Sequence, residues 1–468
     1  GLSAQVSGRL SLPALHGSMA GSGTVGALGQ IADNIYYVNF TTSQVYPGFS
    51  GHFPPAAPRV PQTWRVLGNL KSLPRPVWIL LVGSFVNRFG SFVITFLLLY
   101  MREQGYGIGE AGLALGAYGV GSLASSIGGP LADRLGRNHA IAISMFSSAA
   151  TMLGLSQARN IVLIAILTGL AGMTSEMYRP ASSALITDLV PEERRVTAFA
   201  AYRLAINAGF AFGPAVAGLL AQRSFIYLFV GDAVTSIVLG IVALTALPPG
   251  HRSPAREEAR PPALSVIARD RAFLTIIVAT LLSAFVYFQG TSTFALAVVD
   301  EGFSKAAYGA LISLNGVLIV LGELPLTALT QRLPARAMIA LGMMLIGIGF
   351  GAVTFAHSFF ALAATVVVWT LGEMVAAPIE AAYVSRLAPQ DMRGRYHAVW
   401  GLSFSTALIF GPSLGARVYG QSPATLWALC AALSALAAAI VLVFGRDRSV
   451  VPEVGRLEAG PEIPGVET

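Results

Sequence analysis

The chain is short of charge. Of its 468 residues only 11% are Asp, Glu, Lys or Arg, against roughly 25% in a soluble domain. Lysine is confined to Lys71 and Lys305 while arginine is common, a bias that fits a GC-rich bacterial gene. Cysteine is reduced to Cys430, which excludes an internal disulfide framework and a thiolate-based zinc site. His139, His251, His357 and His397 sit at loops or helix ends, and no histidine falls in the middle of a long apolar run, so a histidine relay is not expected. No glycine-rich loop ends in Gly-Lys-Ser/Thr, which argues against a fused ATP motor. The net charge of +7 is not gathered into basic patches interleaved with aromatics, so a nucleic-acid partner is not expected.

What fills the chain instead is apolar: 54% hydrophobic residues and a mean hydropathy of +0.66. A bilayer core of about 30 Å needs roughly 20 apolar residues as helix. Such runs number twelve, near 77–101, 110–131, 140–157, 161–186, 197–221, 225–247, 272–299, 307–330, 336–357, 359–387, 396–420 and 424–444. The expected fold is an all-α membrane protein of two six-helix bundles, 74–247 and 272–445, joined by a polar, Pro- and Arg-rich linker at 248–271. Residues 1–73, rich in Gly, Ser and Pro, read as a disordered leader, and 446–468 as a cytoplasmic tail.

Orientation follows the arginines of the short loops. One side holds Arg134, Arg137, Arg194, Arg195, Arg332, Arg336, Arg386, Arg393, Arg395, Arg446 and Arg448 with the linker arginines, and the other only Arg102, Arg159, Arg223 and Lys305. Both termini are therefore expected in the cytoplasm. The halves repeat one another at an offset of 198 residues: Pro180 meets Pro378, Pro191 meets Pro389, Gly213-Pro214 meets Gly411-Pro412, and Leu131, Arg134 and Leu135 meet Leu329, Arg332 and Leu333. A parallel repeat of this kind places a substrate site at mid-depth between the halves.

The segment GGPLADRLGRNHA, Gly128 to Ala140, concentrates charge between spans two and three. Its glycines permit a tight turn and close helix contact, and a carboxylate near a helix N-terminus is stabilised by the dipole. As residues alone, this is a solvated turn that sets topology. The segment also resembles the loop signature of the major facilitator superfamily, Gly-x-Leu-Ala-Asp-Arg-x-Gly-Arg-Arg/Lys, through Gly129, Leu131, Asp133, Arg134, Gly136 and Arg137, with Asn138 in place of the last basic residue. RFGSFVITFLLLY in span one and RPASSALITDLVPEERR around span four are similar to its drug-efflux branches. The resemblance covers about 77–445. It implies that Asp133 meets the start of span eleven, near Tyr396–Ala398, and that Arg137 bridges to Asp188. Together these would latch the cytoplasmic side shut in one state of an alternating-access cycle. Span five resembles the antiporter signature through Gly209, Gly213, Pro214 and Gly218, with Ala200 and Ala217 replacing two glycines. The plain alternative is an ordinary packing face of small residues around a kink.

Charge inside the membrane costs at least about 2.5–3.5 kcal/mol per group and demands a partner or a function. The first half carries Arg88, Glu176, Arg179, Arg203 and Asp232, which are expected to pair among themselves, Arg88 with Glu176 first. The second half carries Glu323, Glu373 and Glu380 with Arg417 as its intramembrane base. Burial favours a carboxyl's neutral form, so Glu373 and Glu323, then Glu176, are the expected proton carriers. Glu323 and Glu380, near the cytoplasmic ends, have the alternative of merely facing water. Phe92, Tyr178, Asn207, Gln289, Asn315 and Trp369 are candidate cavity residues, with Phe89, Phe210, Tyr287, Phe288 and Met374 as further aromatic or Met neighbours; lipid or helix packing is the plain alternative for each. With the resemblance, the expected protein is no enzyme but a monomeric bacterial transporter of the plasma membrane. It would need no cofactor beyond the proton gradient and would export small organic compounds in exchange for protons. Uptake of a nutrient, or sensing without flux, are the alternatives.

Overall fold

The structure, a computed structural model, describes residues 73–250, 266–389 and 392–445. The leader, most of the linker and the tail, with Arg446, Arg448 and His251, lie outside the described residues.

Span one is Arg75–Phe89 continued by Val93–Glu103, and span two is Ile108–Ala124 continued through a tight turn by Gly128–Leu135. Spans three to six are Arg137–Gln157, Ile161–Glu176 with Tyr178–Leu189, Glu192–Arg223 and Ile226–Ala246. Span seven is Arg271–Tyr287 with Thr293–Asp300. Spans eight to twelve are Lys305–Thr330, Ala335–Gly351, Phe359–Leu387, Arg393–Gln421 and Pro423–Phe444. Among the described residues ten segments are long and apolar enough to cross a membrane, and the second span, bent by 43°, makes an eleventh. Span seven takes the remaining place as a 17-residue helix and its short continuation.

Continuous hydropathy predicts unbroken helices for spans one and seven. Both are interrupted, at Gly90 and around Phe288, positions that the 198-residue offset superimposes. The loops on the side away from the arginines start their helices on side-chain caps: Asn160 accepts from Val162 N–H, Ser304 from Ala307, Ser358 from Ala361 and Ser422 from Thr425. Each cap satisfies donors that a helix start leaves open. Large apolar side chains point outward on nearly every span, among them Val162, Ile166, Leu219, Ile348 and Val443. Water does not tolerate so continuous an apolar surface; a bilayer does.

The cores show how the halves meet. Toward the arginine-poor face one apolar cluster runs through both halves, from Phe96, Leu115 and Phe229 to Phe294, Tyr308, Trp369 and Trp427. Toward the arginine-rich face there are two separate clusters. One, around Leu80, Ile141, Leu185 and Leu239, belongs to the first half, and one, around Phe273, Ile339, Val384 and Tyr396, to the second. The molecule is thus closed at the arginine-poor face and parted at the other.

Glycines bring the closed surfaces into contact. A Cβ on Gly309 would stand 2.2 Å from the Pro214 carbonyl oxygen, one on Gly316 2.5 Å from Ala211 Cα, and one on Gly218 2.7 Å from the Lys305 carbonyl oxygen, along spans five and eight. Gly112, Gly116 and Gly119 meet Pro412, Ile409 and Leu408 in the same way along spans two and eleven. Beyond that level Gly129, Gly394 and Gly401 have nothing within 4 Å.

Candidate functional site: a central cavity ringed by carboxylates and guanidiniums

Where the halves part, at mid-depth, they enclose a cavity of about 250 Å³. Spans one and five contribute Arg88, Arg203, Asn207 and Phe210; spans seven, eight and ten contribute Tyr287, Asn315, Glu323, Glu373 and Met374. Toward the closed end a recess of about 20 Å³ continues it, sharing Phe210, Tyr287 and Asn315 and ending on Phe350 and Trp369, which stack at 4.0 Å.

Glu323 and Glu373 line this space, and Glu176 stands behind it as a partner of Arg88; the three carboxylates have three different settings. Glu176 is 3.5 Å from Arg88 and 2.7 Å from Arg179, and the Tyr118 hydroxyl donates to it at 3.4 Å. Glu323 is 2.6 Å from Arg203. Glu373 has no ion-pair partner among the described residues; it accepts from the Asn315 amide at 3.1 Å and shares the cavity wall with Tyr287. A neutral amide thus holds a carboxyl that faces the cavity.

Several expectations are corrected by this geometry. Arg203 does not pair within its own half: it reaches across to Glu323, which therefore does have a cation. Spans five and eight lie against each other from Gly218 to Ala211, and two helical turns further on a long arginine of span five lands on span eight. Asp232 has no arginine side chain at contact distance among the described residues; it is buried within span six. Glu380 does not face water: it is 5% exposed and is bonded by Thr280, whose hydroxyl accepts from the Trp400 indole at 3.2 Å.

Of the candidate cavity residues, Asn207 and Asn315 line the main space and Trp369 its recess. Phe92 does not; it is buried against Phe89 and Gly231. Tyr178 is buried in the first half's own core. Gln289 stitches the break of span seven, donating to the Phe285 and Gly411 carbonyls and accepting from Thr293. Helical period cannot separate these from true lining residues, because an interrupted span turns its faces at the break.

In the charged hairpin Arg137 is buried and joined to Asp133 and, at 3.2 Å, to Asp188; its own backbone N–H donates to the Pro249 carbonyl at 2.7 Å. Gly136 adopts φ +99° to start span three, and Arg134 is exposed. Asp133 does not meet Tyr396–Ala398: among the described residues its partner is Arg137 in its own half. The reason is the parting of the halves on this side, which removes span eleven from reach. In span five, Gly209 and Gly213 lie against the backbone of Phe85 and Phe89, and Gly218 against Lys305 and Ala306.

The seal at the closed face escapes a reading of the residues alone. Arg102 is 2.5 Å from Asp300 and Lys305 2.5 Å from Glu103, each across the two halves. Tyr419 adds a bond to Asp300 at 2.8 Å, and Tyr308 donates to the Thr95 carbonyl at 3.1 Å. These charges look like ordinary loop residues in sequence. The signal that could have found them is the offset, which places the ends of spans one and seven at equivalent points of the two halves.

Two pseudo-symmetric bundles, sealed at one face around a polar chamber at mid-depth, define a polytopic membrane transporter. The chain belongs to the Major Facilitator Superfamily, whose family model matches residues 80–307 and 292–463. It is 27% identical over 348 residues to the uncharacterized MFS-type transporter YqjV of Bacillus subtilis, covering 72% of this chain and 85% of that one. It is 24% identical to a Na(+), Li(+), K(+)/H(+) antiporter of Planococcus maritimus, with 74% and 89% covered. It is also 24% identical to the quinolone resistance protein NorA of Staphylococcus aureus, with 45% and 55% covered. Among solved structures the fold is shared with the nucleoside transporter NupG, at TM-score 0.70 and 15% identity over 80% of this chain and 100% of that one. A POT family transporter shares it at TM-score 0.66 and 16% identity, with 81% and 99% covered.

Proposed function

We propose that this transporter exports small organic compounds in exchange for protons, with Glu373 as the group that substrate and proton use in turn. The observation that carries this is Glu373 itself, facing the cavity beside Asn315 and Tyr287 with no cation in contact among the described residues, while Glu176 and Glu323 already hold arginines. The names of two relatives, a cation/H(+) antiporter and a quinolone resistance protein, support exchange and efflux. By the positive-inside rule the arginine-rich face is cytoplasmic, so the cavity opens to the cytoplasm in this state and both ends of the described chain lie there, in the plasma membrane of a bacterium.

With Glu373 ionised, the cavity takes substrate from the cytoplasm. The halves then rock about the glycine seams, breaking Arg102–Asp300 and Lys305–Glu103 and bringing the Asp133 hairpin to span eleven. Substrate leaves outward, a proton takes its place on Glu373, and the halves return. Arg88 and Arg203 keep the chamber's charge balanced through Glu176 and Glu323 at both stages. Substrate, protons and lipid are the partners; one copy of the chain suffices.

The test is transport of a fluorescent quinolone into inside-out vesicles under an imposed pH gradient, acid inside. Accumulation that collapses with the gradient supports export by exchange. Accumulation that instead requires acid outside would reverse the direction to uptake, and binding without any gradient-dependent flux would mark a sensor.

A further inference from the structure

We infer that the arginine-poor face carries a second binding site, for the glycerophosphate headgroup of an anionic phospholipid, in a pocket at the end of the first half. The inference goes beyond the transport reading and does not depend on it.

The pocket measures about 490 Å³, against about 250 Å³ for the central cavity, and the two share no lining residue. The ends of spans one, three, five and six form most of its wall. The loops of this face have four basic residues, Arg102, Arg159, Arg223 and Lys305, and all but Arg102 line this one pocket. Lys305 is already matched. Glu103, the carboxylate of the pocket wall, lies 2.5 Å from its ammonium, the Ala221 carbonyl accepts from it at 3.2 Å, and the Phe225 ring lies 4.3 Å away. Arg159 and Arg223 are not matched: neither has an ion-pair partner among the described residues, and Arg159 donates to the neutral Gln104 side chain at 3.1 Å. Tyr100, 6% exposed, also lines the pocket, and its hydroxyl has no hydrogen-bond partner among the described residues. A buried phenol normally finds one; here an occupant of the pocket supplies it.

Two unopposed guanidiniums and a phenol donor suit a phosphate, which guanidinium grips with paired N–H groups. The neutral Ser156, Gln157 and Gln222 beside them suit the hydroxyls of an attached polyol. A zwitterionic headgroup would bring its own cation against the arginines. The lipid tail has a path as well. Ile226, on the pocket wall, is 40% exposed, and Val230 and Val234, one and two turns further along span six, are 42% and 51% exposed. This stripe leads from the pocket into the apolar surface that faces the bilayer, and a soluble anion has no use for it. Lys305 belongs to the second half and the rest of the wall to the first, so the pocket is complete only while this face is sealed. A bound headgroup therefore favours the sealed state.

Native mass spectrometry of the purified full chain, titrated with phosphatidylglycerol, phosphatidylcholine or glycerol 3-phosphate, tests the site. The wild type is expected to retain phosphatidylglycerol in preference to the other two. Arg159→Gln combined with Arg223→Gln should weaken that binding about thirtyfold, the effect of two basic residues at an anionic headgroup, and Tyr100→Phe about fivefold. Arg417→Gln, which removes an exposed charge from the last turns of span eleven outside the pocket, should leave it unchanged. In a Cys430→Ser background, cross-linking of Arg102→Cys to Asp300→Cys should be stronger in phosphatidylglycerol than in phosphatidylcholine vesicles, and the difference should vanish with the two arginine substitutions. Equal retention of both lipids, or a loss with Arg417→Gln as large as with the pocket variants, would overturn the inference. So would cross-linking that ignores the lipid, or tighter binding of glycerol 3-phosphate than of phosphatidylglycerol, the mark of a site for a soluble anion.

Discussion

Replacing Glu373 by Gln is the sharpest perturbation of the proposed mechanism. The side chain keeps its size, and its amide oxygen can still accept from Asn315, 3.1 Å away in the wild type, so folding and substrate access are expected to survive. What disappears is the capacity to change charge. In a one-proton exchanger each unit of pH gradient is worth about 1.4 kcal/mol, which supports roughly a tenfold substrate gradient, and each 100 mV adds about 2.3 kcal/mol per charge moved. Vesicles clamped at zero potential and given one pH unit should therefore accumulate quinolone about tenfold with the wild type and not at all with Glu373→Gln. Exchange of labelled for unlabelled substrate, which needs no net proton movement, should continue in the variant. A Glu373→Gln protein that still accumulates substrate in proportion to the pH gradient would refute the assignment. Loss of counterflow together with accumulation would show instead that the side chain is needed for binding alone.

Gly309→Val should prevent closure of the face opposite the arginines, because its Cβ has only 2.2 Å to a carbonyl oxygen of Pro214; in a Cys430→Ser background, cross-linking of Glu103→Cys to Lys305→Cys should fall sharply, and wild-type cross-linking would refute the seam. Asp300→Asn removes a pair whose side chains are more than a third exposed, so its contribution is at most about 1 kcal/mol and the same cross-link should weaken no more than about fivefold. Arg203→Ala leaves Glu323 without its cation at the cavity wall, and transport is expected to drop with a changed pH profile; an unaltered profile would show that the bridge is passive. Gly136→Ala forces an L side chain into φ +99°, costing about 1–3 kcal/mol, measurable as a lower melting temperature of the solubilised protein.

The Arg88–Glu176 contact is readable from the residues, since both partners belong to one half and lie at matching depths, and the loop signature implies Arg137–Asp188 for the same half. Glu323 defeats such reasoning. Its cation, Arg203, comes from the other half, 120 residues away, and composition within span eight carries no trace of it. Phe92, Tyr178 and Gln289 fail as cavity residues because the breaks in spans one, four and seven rotate the faces that a straight helix would present.

Hydropathy and charge act over a turn or a span, and so the residues alone suffice to establish a twelve-span, internally repeated membrane protein with carboxylates and arginines at depth: about 20 apolar residues cross a bilayer, and arginines in short loops orient them. Which carboxylate is left without a cation, which face is sealed, and how far Asp133 stands from span eleven are set in three dimensions. They depend on how two bundles tilt against each other, and the close approach at Gly309, Gly316 and Gly112 is governed by the shapes of surfaces that distant parts of the chain bring together.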